Sequence, residues 1–473
     1  MNRRDLLRNG FLTTLGFTLA PGFDAVAGTT SKSPKTGKAK NIIFLVSDGM
    51  STGTLNMAEL LLQRKEGKGT RWLQLYRENK GRRALMDTAS ADSLVTDSAA
   101  ASASWGGGMR VNNGSLNIGP KGERPQPILQ KFKAAGKAVG CVTTVPITHA
   151  TPAGFCVNNA SRNAQPEIAH DYLKLQFDVM MGGGLEYFSK EKRDDKQDLL
   201  QAFRSKAFDV VTNRKEMLQL KGKKPVLGVF HENGLPYALD RANDKQLQEQ
   251  TPSLAEMTKS AISILKQNNK GFVLQVEAGK VDWAAHANDV GGLLYDQLAF
   301  DEAVSIALDF AEQDKETLVI ITTDHGNANP GLIKGSDVNK HFDNIQFFRH
   351  TNEWVLQQIK DLKTPASVRE VVAESQGITF KIEEAKLLFD HFNSENDVDI
   401  YNPRKLPYKL YADLQRPYTN VGWAGMDHSA DFVELVMYGP GSELLPPFVQ
   451  NYELHNFMLK AASMQESYWA TGA

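Results

Sequence analysis

The run Asn41-Ile-Ile-Phe-Leu-Val-Ser-Asp-Gly-Met50 is apolar along its length and ends abruptly in a carboxylate, Asp48. A second run, Gly271-Phe-Val-Leu-Gln-Val-Glu277, and a third, Thr317-Leu-Val-Ile-Ile-Thr-Thr-Asp324-His325, repeat the pattern. Each is rich in β-branched residues and closes on residue types that bind metal ions. Strands buried on both faces belong to parallel sheets sandwiched between helices, and open parallel sheets bind ligands outside the carboxyl ends of their strands. The expectation is an α/β fold, a large and mostly parallel central sheet with helices on both faces. The terminal acids should converge at one end of it.

With 473 residues, 41% apolar and 23% charged, the chain suffices for one large α/β domain with an elaborated insertion or for two domains. Its 54 basic and 55 acidic residues leave a formal net charge of −1. That removes the electrostatic case for nucleic acid or an anionic membrane as partner, so recognition must be local. The start, Met-Asn-Arg3-Arg4-Asp-Leu-Leu-Arg8, leads through a mildly apolar stretch to Ala25-Val-Ala27. Charged region, short apolar region and small-x-small site is the order of an export signal. The paired arginines before Leu-Leu resemble a twin-arginine signal, so residues 1–27 are expected to be a signal peptide and the protein periplasmic or secreted. Residues 28–40 read as a polar linker and 41–473 as the catalytic domain. No later stretch approaches the roughly 18 apolar residues of a membrane span. Cys141 lies in the apolar run Ala138 to Val145, where a small buried thiol is the commoner outcome, and a bridge to Cys156 stays open.

From 41 to about 330, apolar runs alternate with helical periodicities such as Thr251 to Gln267, opened by Thr251-Pro252 in an N-cap and N1 pattern. From about 331 to 424 the texture turns aromatic, charged and irregular, with helix-like pieces at Asn352 to Lys363 and Ile382 to Phe392. The core resumes at Met426-Asp-His428 and the strand-like Phe432 to Tyr438. The intervening block reads as an inserted cap over the mouth of the sheet.

Leu94-Val-Thr-Asp97-Ser98-Ala-Ala-Ala-Ser-Ala-Ser-Trp105 places a serine at the head of a run of tiny residues. Such a run makes a closely packed helix whose N-terminus aims free N–H groups at an anion. Alone, Asp97 or Ser98 would read as an ordinary cap; the acid-tipped strands make Ser98 a candidate nucleophile. Thr144-Val-Pro-Ile-Thr-His149-Ala-Thr151 follows, with Arg162 eleven residues beyond Thr151, a fork able to grip two oxygens of a tetrahedral anion. The strongest constellation is Glu277-Ala-Gly-Lys-Val-Asp282-Trp-Ala-Ala-His286. Asp282 and His286, at i and i+4, share one helical face and can bind one cation. Asp324-His325 and Gly425-Met-Asp-His428 complete a mixed nitrogen and oxygen set, which suits zinc together with a harder ion such as magnesium.

These residues resemble the motifs of alkaline phosphatases. The resemblance runs in order from Asn41 to Tyr438: F-L-V-S-D-G-M, V-T-D-S-A-A, T-H-A-T-P-A, M-M-G-G-G at Met180 to Gly184, V-E-A-G-K-V-D-W-A-A-H, T-T-D-H-G and D-H-S-A. It implies that Asp282, His286 and His428 hold a first zinc, and Asp48, Asp324, His325 and the Ser98 oxygen a second. Asp48 would also bridge to a third ion, usually magnesium, with Thr151 and Glu277. Arg162 would grip the phosphoryl oxygens, oriented by Asp97. Zinc would lower the pKa of the Ser98 hydroxyl and stabilise the leaving oxygen, giving hydrolysis of small phosphate monoesters at alkaline pH through a phosphoserine. Members of the family are commonly homodimers, and monomers exist.

Two positions depart from the best-known bacterial pattern. His149 stands where many members have Asp, so the third site could favour zinc over magnesium or keep a water-mediated contact. Trp283 stands where they commonly have Lys, which removes a cation near phosphate. Three rivals are weighed against this reading. A sulfatase needs Cys-x-Pro-x-Arg or its serine version, which neither Cys141-Val-Thr-Thr-Val nor Cys156-Val-Asn-Asn-Ala supplies. A phosphodiesterase usually has a threonine nucleophile and lacks the equivalent of Arg162. An exported metal- or phosphate-binding protein has no need of a serine at the zinc bridge.

Overall fold

The computed structural model describes residues 38–222, 224–392 and 402–464. The expected signal at 1–27 and all but the end of the linker lie outside the described residues. The strands run in chain order as β1 (Asn41–Ser47), β2 (Arg82–Asp87), β3 (Ala138–Pro146), β4 (Val179–Gly183), β5 (Asp209–Val211), β6 (Val226–Val229), β7 (Phe272–Ala278), β8 (Thr317–Thr322), β9 (Gly326–Asn327), β10 (Gly331–Leu332), β11 (Val421–Gly422), β12 (His428–Ser429), β13 (Val433–Tyr438) and β14 (Phe448–Gln450).

Ten of them form one sheet, in the order β14-β2-β13-β8-β1-β7-β3-β4-β6-β5. Neighbours are parallel except where β13 meets β2 and β8. The fold is therefore α/β with a large, mostly parallel sheet, as the apolar runs imply. Every residue of β1, β3, β7 and β8 is buried. Within β1, Ile43 and Leu45 enter the core on one face, and Ile42, Phe44 and Val46 the core on the other. Helices at Thr52–Glu66, Leu254–Leu265 and Val290–Asp314 cover the first face, and those at Ser98–Gly107, Ile128–Ala134, Gln165–Leu175 and Glu453–Ala461 the second. A strand covered on both faces has no solvent side, so its sequence cannot alternate.

Register brings the carboxyl ends level. Val46 of β1 pairs with Glu277 of β7 on one side and with Thr322 of β8 on the other, and Thr143 of β3 pairs with Glu277. Residues just past these ends must crowd together.

One helix start differs from expectation. The helix begins at Leu254, with Ser253 as its N-cap, whereas Thr251 ends the preceding helix Lys245–Gln250. A capping box decides it: Ser253 Oγ accepts from Glu256 N at 3.2 Å, and a Glu256 carboxylate oxygen accepts from Ser253 N at 2.9 Å. Thr251-Pro252 offers no such reciprocal pair. The two cysteines are free, buried thiols with sulfurs 3.8 Å apart. Among the described residues no helix is long and apolar enough to cross a membrane.

Residues 331–424 carry helices at Val338–Asp343, Asn352–Ile359, Pro365–Gln376, Ile382–His391 and Tyr408–Thr419. Antiparallel pairing of β10 with β11, Gly331 with Gly422 and Leu332 with Val421, ties the two ends of this stretch together. Its centre is a buried amide ring: Asn352 Nδ2 donates to Gln415 Oε1 (3.0 Å), Gln415 Nε2 to Gln376 Oε1 (2.6 Å) and Gln376 Nε2 to Asn352 Oδ1 (3.0 Å). The Asn352 backbone N–H donates to Asp289 Oδ2 (2.6 Å), which joins the ring to the long core helix.

Candidate active site and metal centre

β1, β7 and β8 deliver Asp48, Glu277 and Asp324 to one buried spot, and the short helix Lys280–His286 after β7 adds Asp282 and His286. Gly49 makes the convergence sterically feasible. Its φ is +67°, and a Cβ there would lie 2.4 Å from Asp282 Oδ1, so a carboxylate occupies the space a side chain would need. Its N–H donates to Asp324 Oδ1 at 2.9 Å, and Met50 N–H to Thr323 Oγ1 at 3.0 Å, which locks the strand end.

Three sets of ligand atoms lie within 4.8 Å of one another: Asp282, His286 and His428; Asp48, Asp282 and His325; and Asp48, His149 and Glu277. In the first, Asp282 Oδ2 is 3.5 Å from His286 Nε2 and its Oδ1 3.5 Å from His428 Nε2. In the second, His325 Nε2 is 3.5 Å from Asp48 Oδ1 and 3.3 Å from Asp324 Oδ2. In the third, Thr151 Oγ1 donates to Asp48 Oδ2 at 3.2 Å, and Thr143 Oγ1 to Glu277 Oε2 at 2.5 Å. Asp282 thus reaches two sets, which spacing along the chain does not reveal.

The nucleophile candidate arrives on the helix Ser98–Gly107, all of it buried. Asp97 is the N-cap, accepting from Ala100 N at 2.9 Å, and Ser98 is the first helical residue. Ser98 Oγ lies 3.3 Å from His325 Nε2 and 3.5 Å from Asp48 Oδ1. The other Asp97 oxygen accepts from Arg162 Nη1 at 3.0 Å, and Arg162 Nη2 meets His149 Nε2 at 3.0 Å. Arginine only donates, so His149 Nε2 accepts here. Trp283 lies beside them, its ring edge-on to His149 with centroids 6.2 Å apart.

Burial dominates the electrostatics. It raises Asp48 well above the usual carboxylate range, with Asp324, Asp282 and Glu277 adding repulsion. It likewise raises Glu277 to about 7 and Asp324 to about 6. Asp282 goes the other way: burial opposes ionisation, but His286 and His428 hold it below the usual range. Burial also depresses His149 to about 3, with Arg162 assisting, so its ring is neutral.

The donor set fits metal ions. His286 Nδ1 donates to Met426 O (2.6 Å), His428 Nδ1 to Thr96 O (2.9 Å) and His325 Nδ1 to Gly326 O (3.3 Å), so each presents Nε2 inward. Glu277 Oε1, Asp282 Oδ2 and Asp324 Oδ2 are buried and meet no hydrogen-bond donor among the described residues. Ionised, acids buried in such numbers call for compensating cations, and the inward-facing imidazole nitrogens beside them complete a set of metal ligands. Residues not foreseen from sequence support them: Asn327 Nδ2 donates to Asp282 Oδ1 at 2.7 Å, and Ser102 Oγ to Thr151 O at 2.6 Å. Asn327 follows T-T-D-H-G directly, so its place in that turn was the available signal.

A family profile described as alkaline phosphatase matches residues 39–464. Alkaline phosphatase 4 of Bacillus subtilis is 30% identical over 437 residues, covering 91% of this chain and 90% of its own. The crystal structure of Thermus thermophilus alkaline phosphatase superposes with a TM-score of 0.83 at 30% identity, covering 91% of this chain and 92% of its own. A histidine-to-aspartate variant of the TAB5 alkaline phosphatase, solved with magnesium in its M3 site, shares the fold at TM-score 0.65 and 23% identity, covering 91% and 100%. With an acid-tipped parallel sheet, a metal-binding donor set and a match across nearly its whole length, the chain belongs to the alkaline phosphatase family of metal-dependent phosphomonoesterases.

Proposed function

We propose that this phosphomonoesterase works through a phosphoserine at Ser98. The observation that supports this most is Ser98 Oγ at the head of a buried helix, 3.3 Å from His325 and 3.5 Å from Asp48. Ser98 Oγ attacks phosphorus and loses its proton as the bond to the substrate alcohol breaks. Arg162 holds two phosphoryl oxygens, and Asp97 keeps the guanidinium turned towards them. Water then attacks the phosphoserine, the bond to Oγ breaks, and Ser98 regains a proton as inorganic phosphate leaves.

We assign Asp282, His286 and His428 to one zinc ion and Asp48, Asp324, His325 and Ser98 to a second. Asp48, Thr151 and Glu277 take a third ion, magnesium or, given His149, zinc. Ions held by these residues would acidify the serine hydroxyl and offset charge on the leaving oxygen. The stretch 331–424 serves as a cap, since its residues Trp354, Arg404 and Tyr408 line the cavity beside His149 and Arg162. Arg3-Arg4 and Ala25-Val-Ala27 support export by a twin-arginine route, with the mature chain starting near Gly28. Two chains pair as a homodimer, which sedimentation would test.

Ser98→Ala is expected to abolish acid-trapped phosphoenzyme and lower turnover of an aryl phosphate by several orders of magnitude, while metal content stays close to that of the parent. Near-parental turnover in the variant would remove Ser98 from the role.

A further inference from the structure

A cavity of about 520 Å³ opens beside the centre, its lining running from His149, Arg162 and Trp283 to Trp354 and Arg404 of the insertion. Pockets of roughly 300–1,000 Å³ hold whole small-molecule ligands, so this one has room for far more than a phosphate group. Lys280 lines it and is only 6% exposed. Its Nζ lies 3.6 Å from the Tyr237 ring centroid and 4.5 Å from that of Trp283, a cation held between two aromatic faces. The Trp283 face is fixed in turn by Gly234, where a Cβ would come within 2.7 Å of the indole.

Among the described residues, Lys280 makes no ion pair with a carboxylate. The acids that balance it at longer range are Glu353, Asp296 and Asp240. Each is already engaged. Glu353 pairs with Arg404 and accepts from Gln357 Nε2 at 3.0 Å. Asp240 accepts from Thr351 N at 2.9 Å and Thr351 Oγ1 at 2.7 Å, and Asp296 from Ala238 N at 2.9 Å. A buried cation facing an open cavity without a contacting anion calls for one from outside.

We propose that Lys280, held between Tyr237 and Trp283 in the cavity that Trp354 also lines, forms a subsite for the leaving group of the monoester, selecting an alcohol whose aromatic ring carries a second negative charge. The aromatic walls stack the ring, and the ammonium meets the anionic substituent. This rests on the hydrolytic reading above, with the phosphoryl group held at Arg162 and Ser98.

The test compares kcat/KM for carboxyphenyl phosphate and phenyl phosphate in the metal-loaded parent, Lys280→Met and Lys280→Arg, with metal content measured for each. The carboxyphenyl-to-phenyl ratio is expected to fall about tenfold in Lys280→Met and to recover largely in Lys280→Arg, as for loss of one charge-assisted contact. Trp354→Ala, on the insertion and away from the metal-bearing helix, should lower kcat/KM for both aryl esters severalfold relative to glycerol phosphate, and it keeps the comparison alive if Lys280→Met fails to fold. Equal losses on the two aryl esters in Lys280→Met, or an unchanged aryl preference in Trp354→Ala, would overturn the subsite. A parent that fails to turn over phenyl phosphate would instead sink the hydrolytic reading.

Discussion

Arg162 divides its guanidinium between Asp97 and His149, at 3.0 Å to each. That sharing sets a conflict at His149, because a ring nitrogen accepting from arginine cannot give the same lone pair to a metal ion. His149→Asp together with Trp283→Lys should resolve it towards oxygen ligation and a compact cation. The double variant is expected to depend more on added magnesium and to show a lower phosphate inhibition constant together with a lower kcat. Inhibition by phosphate across a magnesium titration decides it; if neither changes, the two side chains merely pack beside the site. Arg162→Ala should cost about 1.5–3 kcal/mol in transition-state binding of a monoester and less for a diester, whose second ester group displaces the arginine contact. Equal losses in kcat/KM on both substrates would reduce Arg162 to a structural part.

At the scale of elements, Asp289 couples the core to the insertion, capping the helix Val290–Asp314 through Gly292 N at 2.9 Å and accepting from Asn352 N. Burial raises it to about 7, against the pull of those two N–H groups. An acid whose folded pKa lies above its unfolded value contributes stability that is complete below the unfolded pKa, near 4, and lost as pH rises through the folded value. The window is therefore about pH 4 to 7. Asp289→Asn removes the titration, so its stability relative to the parent should improve across that window by about 2–4 kcal/mol at most. Thermal melts of both proteins at its two ends are the measurement, and parallel pH dependence would refute the coupling.

Over the whole molecule, four carboxylates, Asp48, Glu277, Asp282 and Asp324, share one buried centre and are fully enclosed. Their mutual repulsion is tolerable only with cations present, so metal ions should stabilise the fold as well as the reaction. At a free metal concentration a thousandfold above the dissociation constant, the gain is about 4 kcal/mol per site. Chelation is expected to lower the melting temperature by several degrees, and zinc with magnesium to restore both temperature and activity. A melting temperature indifferent to chelator would mean that the centre is organised without its ions.

The fold class and most of the candidate site were legible in the sequence because both rest on local signals. A strand buried on two faces must be apolar throughout, a carboxylate after it must stand at the sheet's end, and Asp282 with His286 share a helical face by spacing alone. Neighbouring strands in level register then leave Asp48, Glu277 and Asp324 little choice but to meet. Contacts between distant segments were another matter. Only tertiary packing decided that Asp282 reaches two sets of candidate ligand atoms, that Asn327 braces it, that Arg162 engages His149, and that Lys280 lies between Tyr237 and Trp283 with no contacting acid among the described residues. The helix start at Ser253 shows the same limit at short range, where two capping candidates compete and a reciprocal pair of hydrogen bonds selects one. Periodicity reports which face of an element is buried; what lies opposite that face depends on the arrangement of every other element.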